Sequence, residues 1–285
     1  MPSVFGLKGD FRIGMHGCGY YAGSIHANTY EGFKYWQRKG IKFMEIDISR
    51  TIDGKYVALA HKMSPMYLHR LEICDYSDKN AFTCDWYLHQ KLFRYSTFRG
   101  LHSMDVAQII KEMREDRELI VMFDMYGLWA EYETFDFTCY LCDIAKHNPE
   151  LLCRMMVEAY NQDMIDGIRR AANNTVPIIY CVRDDGNKEH QLKSPSELLA
   201  QNIEIVSYPW RYINMYPDEI EKYEKGKFIL ISYCADNKDI ECACQKQMVN
   251  VVLVDNMINY NRRAIFVIRR IINRMIQKII RKVTQ

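Results

Sequence analysis

Two acidic residues, Glu45 and Asp47, lie within an otherwise apolar segment at residues 43–48. The segment has the length of a buried strand, and residues two apart in a strand face the same side. Two ionised carboxylates on one buried face repel each other and are costly to bury unless a cation binds them. A divalent cation that prefers oxygen ligands, Mg²⁺ or Ca²⁺, would stabilise the pair. A solvated strand with alternating polarity is the alternative for this motif alone.

Three further residues with catalytic potential each follow an apolar segment. His16 and His61 come directly after predicted strands, and Asp124 follows residues 119–123. A single histidine at the end of a strand is usually structural. Two histidines beside a group of carboxylates are different, because imidazole can both accept and donate a proton near neutral pH. We interpret Asp124 as a third metal ligand and the histidines as a candidate acid and base.

The elements that must position these residues alternate along the chain. Apolar or β-branched segments of strand length lie at residues 11–15, 43–48, 56–60, 119–123, 155–159, 177–182, 203–207, 228–233 and 249–254. Helical spacing is found at residues 29–39, 103–113, 134–146, 161–172, 194–201 and 217–225. Strands that alternate with helices predict βαβ units and a parallel sheet.

The number of these units favours one closed barrel over two domains. No Gly/Ser-rich linker separates them, and the chain of 285 residues is slightly longer than the roughly 250 residues that a (β/α)8 barrel typically needs. We therefore predict an α/β fold with a single TIM barrel at residues 1–260. Active sites of such barrels lie at the carboxyl ends of the strands, where the acids and histidines are expected.

Two predicted helix starts support this division of the chain. Ser103 begins one helical segment, and Ser194 is followed by Pro195 in the first turn of another. Serine is a preferred N-cap residue, and proline is favoured in the first turn of a helix. Residues 62–99 fit the alternation poorly, and we interpret them as a long excursion from the barrel.

The composition excludes several classes of protein. A chain with 48% hydrophobic and 26% charged residues is neither disordered nor collagenous. Its 10 cysteines are scattered, and no leader with a basic start and an apolar core is visible, so we expect reduced thiols in the cytoplasm. No apolar run reaches the length of about 18 residues that indicates a membrane-spanning helix.

The acids and histidines belong to a longer combination of motifs. It contains a histidine with a Gly-rich turn, an Asn-Thr pair, a Gly-x-x-x-x-Glu-x-Asp strand, a Thr-x-Asp-Gly turn and a strand that ends in histidine. These motifs occupy residues 16–19, 28–29, 40–47, 51–54 and 61. The combination resembles the glycerophosphodiester phosphodiesterases of the phosphatidylinositol-phospholipase-C-like superfamily. The specific part of the resemblance covers residues 11–62, and the remainder matches as a barrel pattern with Asp124 in place.

The resemblance implies a (β/α)8 barrel that hydrolyses, or cleaves as a lyase, a glycerol- or sugar-linked phosphodiester. It implies a divalent cation held by Glu45, Asp47 and a later acid, here Asp124. It also implies that paired histidines act as acid and base on the phosphodiester. We predict that His16 is the acid and His61 the base, with the reverse assignment left open.

The sequence departs from the family pattern at three positions. Asp124 stands where glutamate is commoner, as it does in the related sphingomyelinase D branch, and Gly17 follows the first histidine where arginine is usual. Tyr126 replaces a lysine that faces the phosphate, and a phenol brings no positive charge. Arg183 and Arg211 each follow a predicted strand and are candidates for the missing cation. The change at Tyr126 supports an alternative function, a non-catalytic membrane-peripheral barrel that binds phosphorylated lipid head groups or glycans.

Tyr126, Glu158 and Trp210 are weaker candidates for substrate binding. Each lies at or near the end of a predicted strand, where an aromatic ring can stack on a sugar or glycerol group. Ordinary packing around the rim of the barrel is the more common role for any one of them.

The C-terminal segment, residues 261–285, has a strong positive charge. Eight Lys or Arg and no acid occur in residues 262–282, and apolar residues recur at helical spacing. The pattern predicts a basic amphipathic helix. Such a helix packs on the barrel or lies on an anionic membrane surface, which would place the protein in the cytoplasm at the inner face of the membrane. Nucleic acid is not an expected partner, because the rest of the chain is acidic.

Overall fold

The structure, a computed structural model, describes most of the 285 residues. The described residues are 12–22, 28–60, 63–64, 68, 71, 73, 76–92, 100–128, 130–183, 192–233 and 249–255. His61 and the basic segment 261–285 lie outside these ranges, so what the sequence predicts for them stays a prediction.

Eight parallel strands of the described residues form a closed barrel, which confirms the predicted fold class. In chain order the strands are β1 (Arg12–Met15), β2 (Phe43–Arg50), β3 (Tyr56–Ala58), β4 (Lys91–Leu92), β5 (Leu101–His102), β6 (Ile120–Asp124), β7 (Met155–Ala159), β8 (Ile178–Cys181), β9 (Ile205–Pro209), β10 (Ile229–Tyr233) and β11 (Val251–Val254). Parallel pairing runs from β2 through β6 to β11 and on to β1. The pairing of Met15 with Met44 joins β1 to β2 and closes the ring.

Helices follow most of the barrel strands. They are α1 (Tyr30–Arg38), α2 (Cys84–His89), α3 (Val106–Glu115), α4 (Glu131–Ala145), α5 (Pro149–Leu152), α6 (Gln162–Ala172), α7 (Pro195–Ala200), α8 (Arg211–Met215) and α9 (Pro217–Lys225). The short helices α2, α5 and α8 were not predicted, because four to six residues are too few to establish a helical period.

Side-chain caps fix where several of these helices begin. The predicted cap at Ser194 is confirmed, since its hydroxyl accepts from the backbone N–H of Glu197 and the Glu197 carboxylate accepts from the Ser194 N–H. The predicted start at Ser103 is wrong. Asp105 caps α3 by accepting from the Gln108 N–H at 2.7 Å, and the Ser103 hydroxyl donates to the Tyr87 carbonyl instead.

The predicted strand at residues 56–60 is not a barrel strand. The turn after β2, where Gly54 has a φ of +76°, reverses the chain, and β3 then pairs antiparallel to β2, with Val57 opposite Ser49. In the part of residues 62–99 that the structure describes, α2 packs in an apolar cluster separate from the barrel core. Strand β4 of this segment pairs antiparallel with β5.

Side chains on the inward face of the strands fill the barrel. Ten buried residues form an apolar cluster distinct from the layer between strands and helices: Phe43, Ile120, Met122, Met156, Ile179, Ile205, Ile229, Ile231, Val251 and Leu253. Because strand residues alternate, the residue two positions further along each strand also faces inward. This alternation determines which side chains reach the carboxyl ends of the strands.

Candidate active site

The inward face of the barrel changes from apolar to polar towards the carboxyl ends of the strands, which we call the mouth. On β2, Phe43 of the apolar cluster is followed at alternate positions by Glu45 and Asp47. On β6, Met122 is followed in the same way by Asp124. The strand period therefore directs all three acids to the mouth.

Glu45, Asp47 and Asp124 form one carboxylate cluster. A ligand oxygen from each lies within 4.8 Å of the others. Asp47 and Asp124 are direct partners in the parallel pairing of β2 with β6, while Glu45 lies deeper and is 2% exposed. The three predicted metal ligands are thus brought together, as a divalent cation with oxygen ligands requires.

The Gly-rich turn after β1 holds Glu45. Gly17 has a φ of +55° and Gly19 a φ of +66°, a region that glycine adopts without strain. A Cβ added at Gly19 would lie 2.6 Å from Nε1 of Trp36, so this position also needs glycine for space. The Gly17 N–H donates to Oε2 of Glu45 at 2.5 Å. The turn thereby positions one oxygen of the deepest acid.

Asn28 orients Asp47. Its side-chain nitrogen donates to Oδ2 of Asp47 at 2.6 Å, and its side-chain oxygen accepts from the Asp47 backbone N–H at 3.1 Å. Asn28 is 1% exposed and has a φ of +49°, which asparagine tolerates better than most residues. The Asn-Thr motif therefore has two functions, since Thr29 caps α1 while Asn28 holds a carboxylate.

The second oxygen of Glu45 is buried, and no hydrogen-bond partner for it is found among the described residues. Burial, and after it the neighbouring carboxylates, raise the pKa of Glu45 well above its usual range. The same two causes raise the pKa of Asp124 well above its usual range. Buried polar atoms normally have partners. A buried carboxylate oxygen without a partner among the described residues, beside two other acids, fits a site for a hard divalent cation.

Tyr160 connects Asp124 to a fourth acid. Its phenol oxygen lies 2.5 Å from Oδ1 of Asp124 and 2.7 Å from Oε2 of Glu158. Glu158 is 3% exposed, and its other oxygen accepts from the Ser207 hydroxyl at 3.1 Å. Burial raises the pKa of Glu158, although the hydrogen bonds to Tyr160, Cys181 and Ser207 oppose that shift. Glu158, predicted as a weak substrate contact, is therefore a buried neighbour of the cluster.

His16 lies between the carboxylate cluster and the last barrel strand. Its Nδ1 is 3.0 Å from Oδ1 of Asp255, and its Nε2 is 3.8 Å from Oε2 of Glu45. Burial lowers the pKa of His16, but the hydrogen bond to Asp255 and the surrounding negative charges outweigh burial and raise it above its usual value. Asp255 thus fixes the ring and favours its protonated form.

Tyr126 contacts both the acids and a cation. Its backbone N–H donates to Oδ1 of Asp124 at 2.7 Å, and its ring packs edge-on against Tyr160. The guanidinium of Arg183 lies 3.9 Å from the centre of the Tyr126 ring. The other candidate cation, Arg211, is exposed on α8.

Trp210 directly follows β9, at the carboxyl end of that strand. It is 6% exposed and packs in the apolar layer between the strands and the outer helices. Its backbone N–H donates to the Tyr233 carbonyl. Its function in substrate binding stays a prediction.

Sequence reasoning did not assign partners to three residues of the site, Asp255, Tyr160 and Arg183. The available signal was the strand alternation, because Asp255 comes two residues after Leu253 of the apolar cluster and therefore faces inward. Arg183 comes four residues after Ile179 and follows the same period. Counting in steps of two from the apolar positions would have selected both.

Solved structures of phosphodiesterases resemble this fold. A glycerophosphodiester phosphodiesterase from Parabacteroides distasonis aligns with a TM-score of 0.64 at 15% identity, covering 97% of this chain and 99% of that chain. A phosphodiesterase from Oleispira antarctica, solved in complex with the product sn-glycerol-3-phosphate, aligns with a TM-score of 0.60 at 12% identity, covering 86% and 92%. A glycerophosphodiester phosphodiesterase from Agrobacterium tumefaciens aligns with a TM-score of 0.58 at 14% identity, covering 86% and 96%.

No protein-family model matches the chain, and no curated protein matches it in sequence. At such identities the structural likeness shows a shared barrel fold over nearly the whole length of both chains. It agrees with the family resemblance of the motifs in residues 11–62. What the site does must be argued from its own geometry.

Proposed function

We propose that the protein is a metal-dependent phosphodiester hydrolase, or lyase, that acts on a glycerol- or sugar-linked phosphodiester. The observation that carries the proposal is the carboxylate cluster of Glu45, Asp47 and Asp124, in which a buried oxygen of Glu45 has no partner among the described residues. If the three acids had only a structural function, the repulsion between their carboxylates would not be compensated. The likeness to solved phosphodiesterases supports the reaction class.

The carboxylate cluster would hold the cation, either Mg²⁺ or Ca²⁺, since all of its donors are oxygens. When bound, such a cation neutralises phosphoryl oxygens and orients the phosphodiester. The chain's own contribution is to keep the donors in place before substrate arrives. Gly17 holds Glu45, Asn28 holds Asp47, and the Tyr126 N–H together with Tyr160 holds Asp124.

His16 would transfer a proton at the mouth through Nε2, because Asp255 occupies Nδ1. The raised pKa of His16 suits a group that donates a proton to the leaving oxygen near neutral pH. We assign the complementary step, removal of the proton from the attacking hydroxyl or water, to His61. This assignment continues the sequence prediction, since His61 lies outside the described residues.

The experiment that tests the proposal is a turnover assay with glycerophosphodiesters, lysophospholipids and glycan phosphodiesters as substrates. Turnover should require Mg²⁺ or Ca²⁺ and stop on chelation. His16→Ala and His61→Ala should each lower turnover by about 100-fold or more without unfolding the protein. Undiminished turnover in both variants would remove the histidines from the mechanism. Binding of the same compounds without any turnover would favour the alternative, a non-catalytic barrel that binds lipid head groups or glycans.

We also propose that the protein is cytoplasmic and that its basic segment, residues 261–285, attaches it to an anionic membrane surface. Among the helices that the structure describes, none has the length and apolar character to span a bilayer. The eight basic residues in this segment would each add about 1 kcal/mol near an anionic surface. Acidic liposomes should bind the intact protein at low salt, and a chain that ends at residue 260 should lose this binding while it keeps the carboxylate cluster.

A further inference from the structure

Arg183 and Tyr126 form a face-on stack at the mouth of the barrel. The guanidinium carbon of Arg183 lies 3.9 Å from the centre of the Tyr126 ring and 5.3 Å from the centre of the Tyr160 ring. Arg183 follows β8, and Tyr126 follows Asp124 at the end of β6. Two aromatic rings therefore fix a cation beside the carboxylate cluster, which restricts the rotamers of a long and flexible side chain.

The charge of Arg183 acts on the site. Its guanidinium interacts electrostatically with the carboxylates of Asp124 and Glu158. The backbone of Tyr126 is in turn tied to Asp124 through a hydrogen bond of 2.7 Å. The stack therefore lies beside the carboxylate cluster.

The mouth is otherwise strongly negative. Glu45, Asp47, Asp124, Glu158 and Asp255 all lie at or beside it. A phosphodiester is itself an anion, and one divalent cation together with a protonated His16 carries fewer positive charges than the five acids and the substrate carry negative ones. The fixed charge of Arg183 offsets part of this excess, and a planar guanidinium can donate two parallel hydrogen bonds to phosphoryl oxygens.

We propose that Arg183 binds the non-bridging oxygens of the phosphodiester and that Tyr126 is a positioning residue whose ring packs against the guanidinium. The inference rests on the proposed function, and it assigns the anion contact of that same site. It also gives Tyr126 a function that needs no charge of its own. The rival explanation is that Arg183 only offsets the acids Asp124 and Glu158.

The first experiment compares single variants on a glycerophosphodiester. Arg183→Ala should lower kcat/KM by about 100-fold, and Arg183→Lys by about 10-fold, because an ammonium keeps the charge but neither the fork of donors nor the stacking. Tyr126→Leu should lose more activity than Tyr126→Phe, since only phenylalanine keeps the ring. Millimolar guanidinium should partly restore Arg183→Ala and should not restore Tyr126→Leu to the same extent.

A matched control comes from a second arginine stack in the same chain. Arg170 lies 4.3 Å from the centre of the Phe135 ring, pairs with Glu131 and is 54% exposed on the outer helices. Arg170→Ala also removes an arginine from an aromatic face, but neither Arg170 nor Phe135 belongs to the proposed site. It should leave kcat/KM unchanged, which separates loss of the anion contact from a general loss of stacking.

The second experiment moves the charge. In Arg183→Ala combined with Tyr126→Lys, an ammonium enters from the position that supported the guanidinium, and about a tenfold recovery of kcat/KM over Arg183→Ala is expected. If Arg183 only offsets the acids, its loss should change thermal stability and the affinity for Mg²⁺ or Ca²⁺ while KM and the affinity for sn-glycerol 3-phosphate stay the same. That pattern would overturn the inference.

Direct binding separates this inference from the proposed function. Calorimetry with sn-glycerol 3-phosphate and with inorganic phosphate needs no turnover. A protein that binds these anions through Arg183 but hydrolyses nothing would contradict the proposed function and support the anion contact. A protein that hydrolyses glycerophosphodiesters equally well with and without Arg183 would support the function and overturn the contact. If the wild-type protein showed no hydrolysis and no anion binding, both the proposed function and the anion contact would be overturned.

Discussion

The two ends of the barrel treat buried charge in opposite ways. At the amino ends of the strands, Lys42 pairs with Asp116 at 2.8 Å. The guanidinium of Arg154 donates to four backbone carbonyls, those of Met113, Asp116, Leu119 and Glu150. At the carboxyl ends, three carboxylates face one another within 4.8 Å. The amino end pairs its charges within the chain, whereas the mouth holds three carboxylates close to one another.

This difference indicates that the charges at the two ends have different functions. Removing one partner of a paired buried charge is destabilising, whereas like charges held close together are typical of functional sites. Substitutions at the two ends should therefore have opposite signatures. Those at the amino end should lower stability and spare activity, while those at the mouth should abolish activity and spare or raise stability.

The largest effect is expected for Glu45→Gln. If Glu45 is the metal ligand that we propose, its loss should lower turnover by about 1,000-fold, which corresponds to roughly 4 kcal/mol. In the absence of metal the same variant should be more stable than wild type by about 1 kcal/mol, because an amide relieves the carboxylate repulsion and can donate to a neighbouring acid. Turnover assays and thermal unfolding with a chelator measure the two effects. Retained activity, or a large loss of metal-free stability, would break the contrast between the two ends.

Arg154→Met should have the opposite signature. Arg154 is 8% exposed, and its removal leaves four carbonyls without their charged donor, so the free energy of unfolding should fall by about 3 kcal/mol. Turnover per folded molecule should stay close to that of wild type. Chemical denaturation measures the stability, and the exposed Arg170→Met provides a control expected to cost far less. A loss of turnover at full folding would show that the amino end also serves the reaction.

Asp255→Asn should weaken the mouth without removing a metal ligand. The carboxylate of Asp255 raises the pKa of His16, so its replacement should lower that pKa. The limb of the pH–rate profile that we assign to His16 should move to lower pH, and turnover near neutral pH should fall by about 10-fold. The measurement is kcat against pH for both proteins. An unchanged profile would mean that Asp255 does not set the protonation of His16.

The smallest effect is expected for Lys42→Met. The hydrogen bond and charge of Lys42 lower the pKa of Asp116 despite its partial burial, and Asp116 raises the pKa of Lys42. The pair should therefore contribute about 1 kcal/mol at neutral pH. The difference from wild type should vanish as the pH falls through the lowered pKa of Asp116, and again as it rises through the raised pKa of Lys42. Denaturation at several pH values tests this, and a difference that is independent of pH would assign the effect to packing.

The sequence was sufficient for the fold and for the carboxylate cluster. Alternating strand and helix segments predicted the barrel, and the spacing of Glu45 and Asp47 predicted that they share a face, because both patterns depend on local periods. The start of α3 was placed at Ser103 and not at Asp105, since two good capping residues two positions apart cannot be ranked by their types alone.

The remaining features of the site depend on contacts between distant parts of the chain. The hydrogen bond of His16 with Asp255 joins residues 239 positions apart, and the stack of Arg183 on Tyr126 joins two strands that are not neighbours in the barrel. No local period encodes which of several inward-facing residues meet across a closed ring. These contacts are therefore seen only in the structure, whereas strand alternation in the sequence already predicts that each residue faces inward.

Closure of the barrel also has a consequence for how the chain is made. Strand β11 is the only described partner that fills the gap between β10 and β1, and it is synthesised last of the eight. Until it is released from the ribosome, β1 and β10 each present an unpaired edge that can recruit strands from other molecules. When the seven described residues from Val249 to Asp255 pair with β10 and β1, they cover both strand edges and place Asp255 beside His16. A nascent chain stalled before Val249 should be both inactive and prone to self-association.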